Sequence, residues 1–494
     1  MSARSNITLI RGLGLVAAIS IVVGNVIGTG IFLKTRIMIC NVGTPGRVMA
    51  VWVAAGLLSL AGALTYAELA ALMPRAGGEY VFIREAYGAR WGFLYGWMQF
   101  FVARAGGLAA MSVSFAIFLN ILMRGALDTN FFTLNLPGLQ VPVGSLQAVA
   151  VGVIAIVTLI NCATVYISGN VAAALTGIKV ALVLAVGLGA FLLADGDWTH
   201  FAAADTGGTC EGVAVATRAG FAGFGAARLG ALWAYNGWND LTLVAGEIKN
   251  PQRNIPAALI GGMSVVGILY LFANVAYFYV LTPTEIASVS TSSSVATEVA
   301  LRFLGPVAIS LIALALMAST FGTIHVGVLT GARVPFAMSR DRLFFQNLAR
   351  LSPRTHVPTG ALLAQALWAG VLALSGSFDT LTDYSIFALW IFYGLTTASV
   401  FVFRRRMPDA ERPYRAWGYP VVPALLLIVT AWLLLTTLLP DPRQALVELG
   451  MLARGTYPPG GLKGINLNAF VGLGLIALGL PVYWYWARHN ERQN

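Results

Sequence analysis

Apolar and polar stretches alternate along the chain so that twelve apolar runs stand out, separated mostly by short polar connections. They cover 12–37, 48–73, 92–123, 145–166, 169–194, 229–247, 257–281, 303–335, 359–376, 381–402, 420–440 and 466–487. A bilayer core asks for roughly 20 apolar residues of a helix that crosses it. With no water there to satisfy backbone groups, such runs must be helical. The short alternating segments of a membrane β-barrel are absent. The pattern predicts an all-α membrane protein of twelve transmembrane helices. No connection is long enough to fold alone, so 1–494 reads as a single polytopic domain.

Two of the runs are interrupted near their middles. The first contains Gly24-Asn25-Val26-Ile27-Gly28-Thr29-Gly30, and the sixth contains Trp233-Ala234-Tyr235-Asn236-Gly237-Trp238-Asn239. They lie five spans apart, and an odd separation inverts one half of the chain relative to the other. Residues 12–194 and 229–402 thus read as two inverted five-helix repeats with broken helices 1 and 6. Residues 420–487 add two further helices. Paired broken helices in corresponding positions point to the binding site of a secondary transporter.

Composition agrees. The chain is 58% hydrophobic and 10% charged, with a mean hydropathy of +0.77, far from the quarter-charged make-up of soluble domains. The net charge of +11 could indicate nucleic-acid binding, but no basic cluster alternates with aromatics. Lys/Arg excess in a membrane protein reports topology instead. With both termini cytoplasmic, the inner segments carry 18 Lys/Arg and the outer loops 10, counting Lys34, Arg36 and Arg47 with the first outer loop. Arg404-Arg405-Arg406 then falls inside, and the acidic stretch 195–228, with Asp195, Asp197, Asp205 and Glu211, falls outside. The first run has no small-residue cleavage site behind it and reads as a retained span. Cys40, Cys162 and Cys210 show neither metal-ligand spacing nor a disulfide framework.

The first break has a chemical use. Glycines at 28 and 30 permit backbone dihedrals that let the helix open. The freed N–H groups carry positive dipole and suit a carboxylate, and the freed carbonyls suit an ammonium. A free α-amino acid needs both. Close helix packing through Gly24 and Gly28 is the other use such spacing serves. In the sixth run Trp233 could cover a ligand or simply pack, and Asn236 offers an uncharged polar group.

Lys179 lies deep in the fifth run, where a charge costs roughly 3 kcal/mol on insertion scales. It must face the bundle interior, either as a fixed cation in place of a metal ion or as a proton carrier. Arg104 meets the same cost and reads as a structural partner of a carboxylate or a helix C-terminus. Glu68 and Glu247, at inner ends of spans, could partner such cations or be solvated. His325 reads as a packed, hydrogen-bonded histidine. No Ser-His-Asp order, HExxH, Walker loop or dinucleotide fingerprint is present, so an enzyme has no motif to stand on.

Several stretches are similar to known ones. Val26-Ile27-Gly28-Thr29-Gly30-Ile31-Phe32 resembles the helix break of the amino acid–polyamine–organocation superfamily. Tyr66-Ala67-Glu68-Leu69, Pro74-Arg75-Ala76-Gly77-Gly78-Glu79-Tyr80, Asn161-Cys162, the segment Ala234 to Asn239, Glu247 to Pro256, Gly331-Ala332-Arg333 and Arg412-Pro413-Tyr414-Arg415 resemble the L-type amino acid transporters in particular. This family includes the light subunits of heteromeric transporters and their prokaryotic relatives. The resemblance implies sodium-independent exchange by alternating access, without a cofactor or a metal. It implies carboxylate capture by the N–H groups of Thr29, Gly30 and Ile31, beside Ile27 and Gly28, and ammonium capture by the carbonyls of Val26, Trp233 and Asn236, beside Ala234. The substrate side chain would lie toward Gly107, Met111, Trp238, Thr323 and Trp390. Lys179 matches the lysine that replaces a sodium ion in that family.

Three departures accompany it. Trp233 stands where phenylalanine is usual, and Asn236 where glycine, serine or aspartate is usual. Residues 124–144 contain no cysteine for a disulfide to a heavy subunit. The expectation is a stand-alone exchanger of neutral L-amino acids in the cell membrane. A proton-coupled symporter using Lys179 is the alternative. An amino acid sensor that does not transport is a further one, which the short segments beyond the first and last spans do not favour.

Overall fold

A computed structural model describes residues 8–136, 139–203, 207–213, 215–218, 220–291, 293–374, 378–439, 441–454 and 464–491. Arg4 and Asp205 lie outside these. The first apolar run forms two helices, α1 (Leu15–Val26) and α2 (Gly30–Val42), joined by three non-helical residues. After a turn at Gly43 the chain returns as α3 (Pro45–Leu72), capped by Thr44, whose side chain accepts from Arg47 N. The short α4 (Glu79–Tyr87) leads into α5 (Ala89–Met98), which continues through a π-helical turn, Gln99–Ala103, into α6 (Arg104–Leu122).

Two strands, β1 (Asn130–Leu136) and β2 (Leu139–Gly144), then form an antiparallel hairpin with Asn130 opposite Gly144 and Leu136 opposite Leu139. This hairpin is the one addition to an otherwise helical architecture among the described residues. It falls in the connection between the third and fourth apolar runs. Next come α7 (Ser145–Asn161), α8 (Val165–Leu193) and α9 (Gly220–Ala234). The 3₁₀ segment Trp238–Glu247 completes the sixth run, and α10 (Pro251–Val280) follows.

The remaining helices are α11 (Pro283–Ala287), α12 (Val295–Leu304), α13 (Val307–Gly331), α14 (Arg333–Arg340), α15 (Thr359–Leu374), α16 (Phe378–Arg406), α17 (Val421–Leu438), α18 (Pro442–Ala453), α19 (Leu467–Ala477) and α20 (Gly479–Glu491). Among the described residues nine helices are long and apolar enough to cross a membrane. The fourth and ninth apolar runs, α7 and α15, are shorter, and the sixth is divided. Large apolar side chains such as Leu57, Leu192, Ile268 and Leu367 are exposed, as a surface solvated by lipid requires. This is a multi-pass membrane protein.

The broken helices sit at the centre. α1 packs against α8 and α10, α2 against α9, and α3 runs along α10. Ion pairs, one of them fully buried, tie the face on which α1 begins. Glu247 accepts from Arg333 Nε at 2.7 Å and Nη2 at 2.8 Å, with both side chains fully buried. Glu68 accepts from Arg404 at 2.9 and 2.7 Å and lies 3.5 Å from Arg412. Asp341 accepts from Tyr80 Oη at 2.7 Å and pairs with Arg84. Glu68 and Glu247 are therefore neither solvated nor partners of Lys179 or Arg104. Each neutralises an arginine brought in from the second half of the chain.

At the opposite face Cys40, near the end of α2, forms a disulfide with Cys210, 170 residues away. This corrects the expectation of no disulfide. Sequence spacing gave no sign of the pair. Both cysteines do fall on the outer side of the expected topology, and the long connection after α8 folds back over the end of α2.

Candidate functional site

The two helix breaks face each other. In the first, Ile27 turns out of the helix with φ −71° and ψ 88°, and Gly28 N donates to Val26 O at 2.8 Å. Thr29 is the N-cap of α2, and its carbonyl accepts from Phe32 N and Leu33 N. The N–H groups of Gly30 and Ile31, which open α2, have no carbonyl one helical turn behind them to bond. In the second, α9 stops at Ala234 and Gly237 adopts φ +107°, a conformation glycine takes without steric cost.

Contacts between the breaks explain their glycines. A Cβ on Gly30 would stand 2.6 Å from Ala234 Cβ, and one on Gly237 would stand 2.5 Å from Asn25 Nδ2. Neither Gly28 nor Gly30 has positive φ, so the first break uses glycine for space rather than for a left-handed turn. Gly24 serves packing, since a Cβ there would meet Thr176 Oγ1 of α8; one on Gly28 would meet nothing nearer than 4.0 Å. The packing use of this stretch thus falls to Gly24.

Between the breaks lies a cavity of about 150 Å³, lined by Asn25, Val26, Gly28, Thr29, Gly30, Gly107, Met111, Trp233, Ala234, Asn236, Asp240 and Thr323, among others. Beyond Thr29 and Trp233, which line both spaces, it meets a vestibule of about 1010 Å³ on the face of the disulfide. Trp233 stands at that junction with Lys34 Nζ 4.7 Å from its ring centre. Trp390 lines the vestibule rather than the small cavity. Ile31 and Trp238 are buried in packing, Trp238 edge-on to Tyr66 at 4.8 Å between ring centres. Ile27 contributes its carbonyl away from the cavity, toward Lys179.

Lys179 is 1% exposed. Its Nζ donates to Gly24 O at 2.5 Å, Ile27 O at 2.8 Å and Thr323 Oγ1 at 2.8 Å. Three acceptors meet three ammonium protons, so the lysine closes the carbonyl end of α1 as a bound cation would. Tyr270 of α10 lies within hydrogen-bond distance of Val26 O, at 2.8 Å, and Ala234 O, at 3.0 Å. Its single proton serves one at a time, which joins the carbonyl ends of the two breaks. His325 is packed as expected: Nε2 donates to Ser168 O at 2.9 Å, and Nδ1 accepts from Asn161 at 3.1 Å.

Sequence reasoning missed a polar network that lines one side of the cavity and runs on behind it to Glu79. Arg104 meets Asp240 in a bidentate pair with both contacts at 2.5 Å. Asn25 Nδ2 donates to Asp240 Oδ2 at 2.6 Å. The carboxylate foreseen for Arg104 is therefore Asp240. Tyr393 Oη lies 2.6 Å from Asn236 Oδ1 and 3.0 Å from Asn239 Oδ1. Asn239 donates to Glu79 at 3.0 Å, as do Tyr66 Oη at 2.8 Å and Tyr95 Oη at 2.5 Å. Glu79, on α4 outside the spans, is fully buried among these neutral donors. Burial pushes its carboxyl up to about 7, against the pull of its hydrogen bonds. The polar side chains of the sixth run were visible in the sequence; their partners were not, because α4 and α16 are remote from it along the chain.

A multi-pass helical bundle whose two broken helices enclose a small cavity at its centre is a membrane carrier by architecture. The chain belongs to the Amino acid permease family, whose profile matches residues 13–452. It is 32% identical over 476 residues to the serine/threonine exchanger SteT of Bacillus subtilis (strain 168), covering 96% of each chain. It is 30% identical over 437 residues to the b(0,+)-type amino acid transporter 1 of Homo sapiens, covering 88% of this chain and 84% of the relative. It is 29% identical over 490 residues to the large neutral amino acids transporter small subunit 2 of Oryctolagus cuniculus, covering 98% and 82%. These relatives are named as transporters.

Proposed function

We propose that this protein exchanges neutral L-amino acids across the cell membrane, independently of sodium, by alternating access. The observation that carries the reading is the facing pair of breaks. The N–H end of α2 offers a carboxylate site, carbonyls of the unwound segments offer an ammonium site, and one small cavity joins them. The relevant groups are the N–H groups of Thr29, Gly30 and Ile31 and the carbonyls of Val26, Trp233 and Asn236. Gly107, Met111 and Thr323 line the side-chain space. A cavity of about 150 Å³ is well under the ≈ 300 Å³ at which pockets for drug-sized ligands begin, which supports a small substrate. Asn236 is uncharged, and the charges in the wall are paired.

Lys179 supports sodium independence and favours exchange over proton symport, because three acceptors hold its ammonium in place. The fold reading that goes with this is twelve crossings in two inverted repeats, 12–194 and 229–402, followed by 420–487, with both termini cytoplasmic. The vestibule then opens outward and the ion-paired face is the closed inner gate. The chain acts without a disulfide-linked heavy subunit. Uptake of radiolabelled amino acids by proteoliposomes in sodium-free buffer tests the proposal. Uptake confined to neutral amino acids is expected; a requirement for sodium, or a preference for charged substrates, overturns it.

A further inference from the structure

The Arg104–Asp240 pair lies in the wall of the small cavity, not in the packed interior behind it. Arg104 is the first residue of α6 after the π-helical turn Gln99–Ala103, a local widening of the kind that recurs at functional sites. Its side chain is 15% exposed and that of Asp240 is 4% exposed. Asp240 also accepts from Asn25 and, at 3.4 Å, from Thr330 Oγ1. Gly331 makes room for the arginine, since a Cβ there would meet Arg104 Cγ at 2.7 Å. Arg104 Nε, buried, has no hydrogen-bond partner among the described residues.

The guanidinium's fork matches the carboxylate, so each charge is cancelled at the cavity wall. Two buried charges seldom improve stability over apolar residues of similar volume. Their retention beside the cavity has a stronger rationale in discrimination, where unwanted partners meet a repulsive or already occupied group.

We propose that Arg104 and Asp240 form the charge filter of the substrate pocket. This rests on the neutral amino acid reading above. With the pair closed, an acidic side chain meets Asp240 and finds Arg104 occupied, and a basic one meets Arg104 and finds Asp240 occupied. Opening the pair from either side leaves one fixed charge that recruits the complementary substrate. Asp240→Asn exposes a cation and admits glutamate and aspartate. Arg104→Gln exposes an anion and admits lysine and ornithine.

The test is competition by twenty unlabelled amino acids against uptake of a labelled neutral one, in wild-type protein and in both variants. In Asp240→Asn, inhibition by glutamate is expected to strengthen about tenfold or more, and in Arg104→Gln inhibition by lysine, as for other close charge pairs. Combining the substitutions removes both gains. A variant too unstable to reconstitute is read by thermal shift after solubilisation: glutamate stabilises Asp240→Asn but not the wild type, and lysine stabilises Arg104→Gln but not the wild type. Neutral-only selectivity retained in both variants, or indifference of both to charged ligands in the thermal assay, overturns the filter while leaving the neutral reading intact. Wild-type uptake of charged amino acids overturns the neutral reading itself.

Discussion

The ammonium of Lys179 on α8 stands 2.8 Å from the carbonyl oxygen of Ile27, so α8 is tied to the unwound end of α1. The same ammonium reaches Gly24 O and Thr323. Lys179→Ala leaves two buried carbonyls without their charged donor, each worth about 1–3 kcal/mol. Exchange is expected to fall by tenfold or more while the protein still inserts in the membrane. Counterflow normalised to reconstituted protein checks this; wild-type rates in the variant contradict it.

Gly30 and Ala234 make the closest approach of the two breaks. Gly30→Ala places a methyl 2.6 Å from Ala234 Cβ, and overpacking of this sort costs about 1–3 kcal/mol. A raised KM for the neutral substrate is expected. Gly177→Ala on α8, where a Cβ meets nothing within 4 Å, serves as the control and should leave transport unchanged. Equal effects at both positions would remove the close approach from the account.

These two cases show what the sequence could and could not disclose. Gly28, Gly30 and Lys179 were legible because a glycine pair and a lysine are each anomalous in a long apolar run. That Lys179 stands in place of a sodium ion followed from the family resemblance. Asp240 as the partner of Arg104, and Tyr270 as the link between Val26 and Ala234, were not legible. Arg104 and Asp240 stand 136 positions apart and Tyr270 and Val26 stand 244 apart, and nothing in local periodicity records which face of one helix meets which face of another. Cys40 and Cys210 were hidden for the same reason.

The disulfide ties α2 to the connection that follows α8. Closing a long loop typically contributes about 2–4 kcal/mol. Cys40→Ser or Cys210→Ser is expected to lower the melting temperature of the solubilised protein, and reductant should lower that of the wild type but not of either variant. Peptide mapping without reductant should recover the Cys40–Cys210 cross-link; two free thiols at these positions would contradict the structure.

Glu79 gives a pH dependence with a definite sign. Its carboxyl is raised to about 7 in the folded protein from an ordinary value of 4.5. The folded state therefore binds the proton more tightly than the unfolded chain. The stability this gives is complete below about pH 4.5 and is lost as pH rises through 7, an effect of about 3 kcal/mol at 1.36 kcal/mol per pH unit. Wild-type protein should melt higher at pH 6 than at pH 8, and Glu79→Gln should reduce that difference. The titratable groups facing Glu79 are Tyr66, Tyr95, Tyr393 and Asp240. A difference that persists unchanged in the variant assigns the effect to another group.

The central claim is that the facing breaks at Gly28-Thr29-Gly30 and Asn236-Gly237 bind an amino acid and carry it in exchange for another. Trans-stimulation measures this most directly: efflux of a labelled neutral amino acid from proteoliposomes, without sodium or a pH gradient, on adding an unlabelled one outside. Efflux is expected to be negligible alone and rapid with external substrate. Efflux indifferent to external amino acid, or obligatorily driven by a proton gradient, would contradict it.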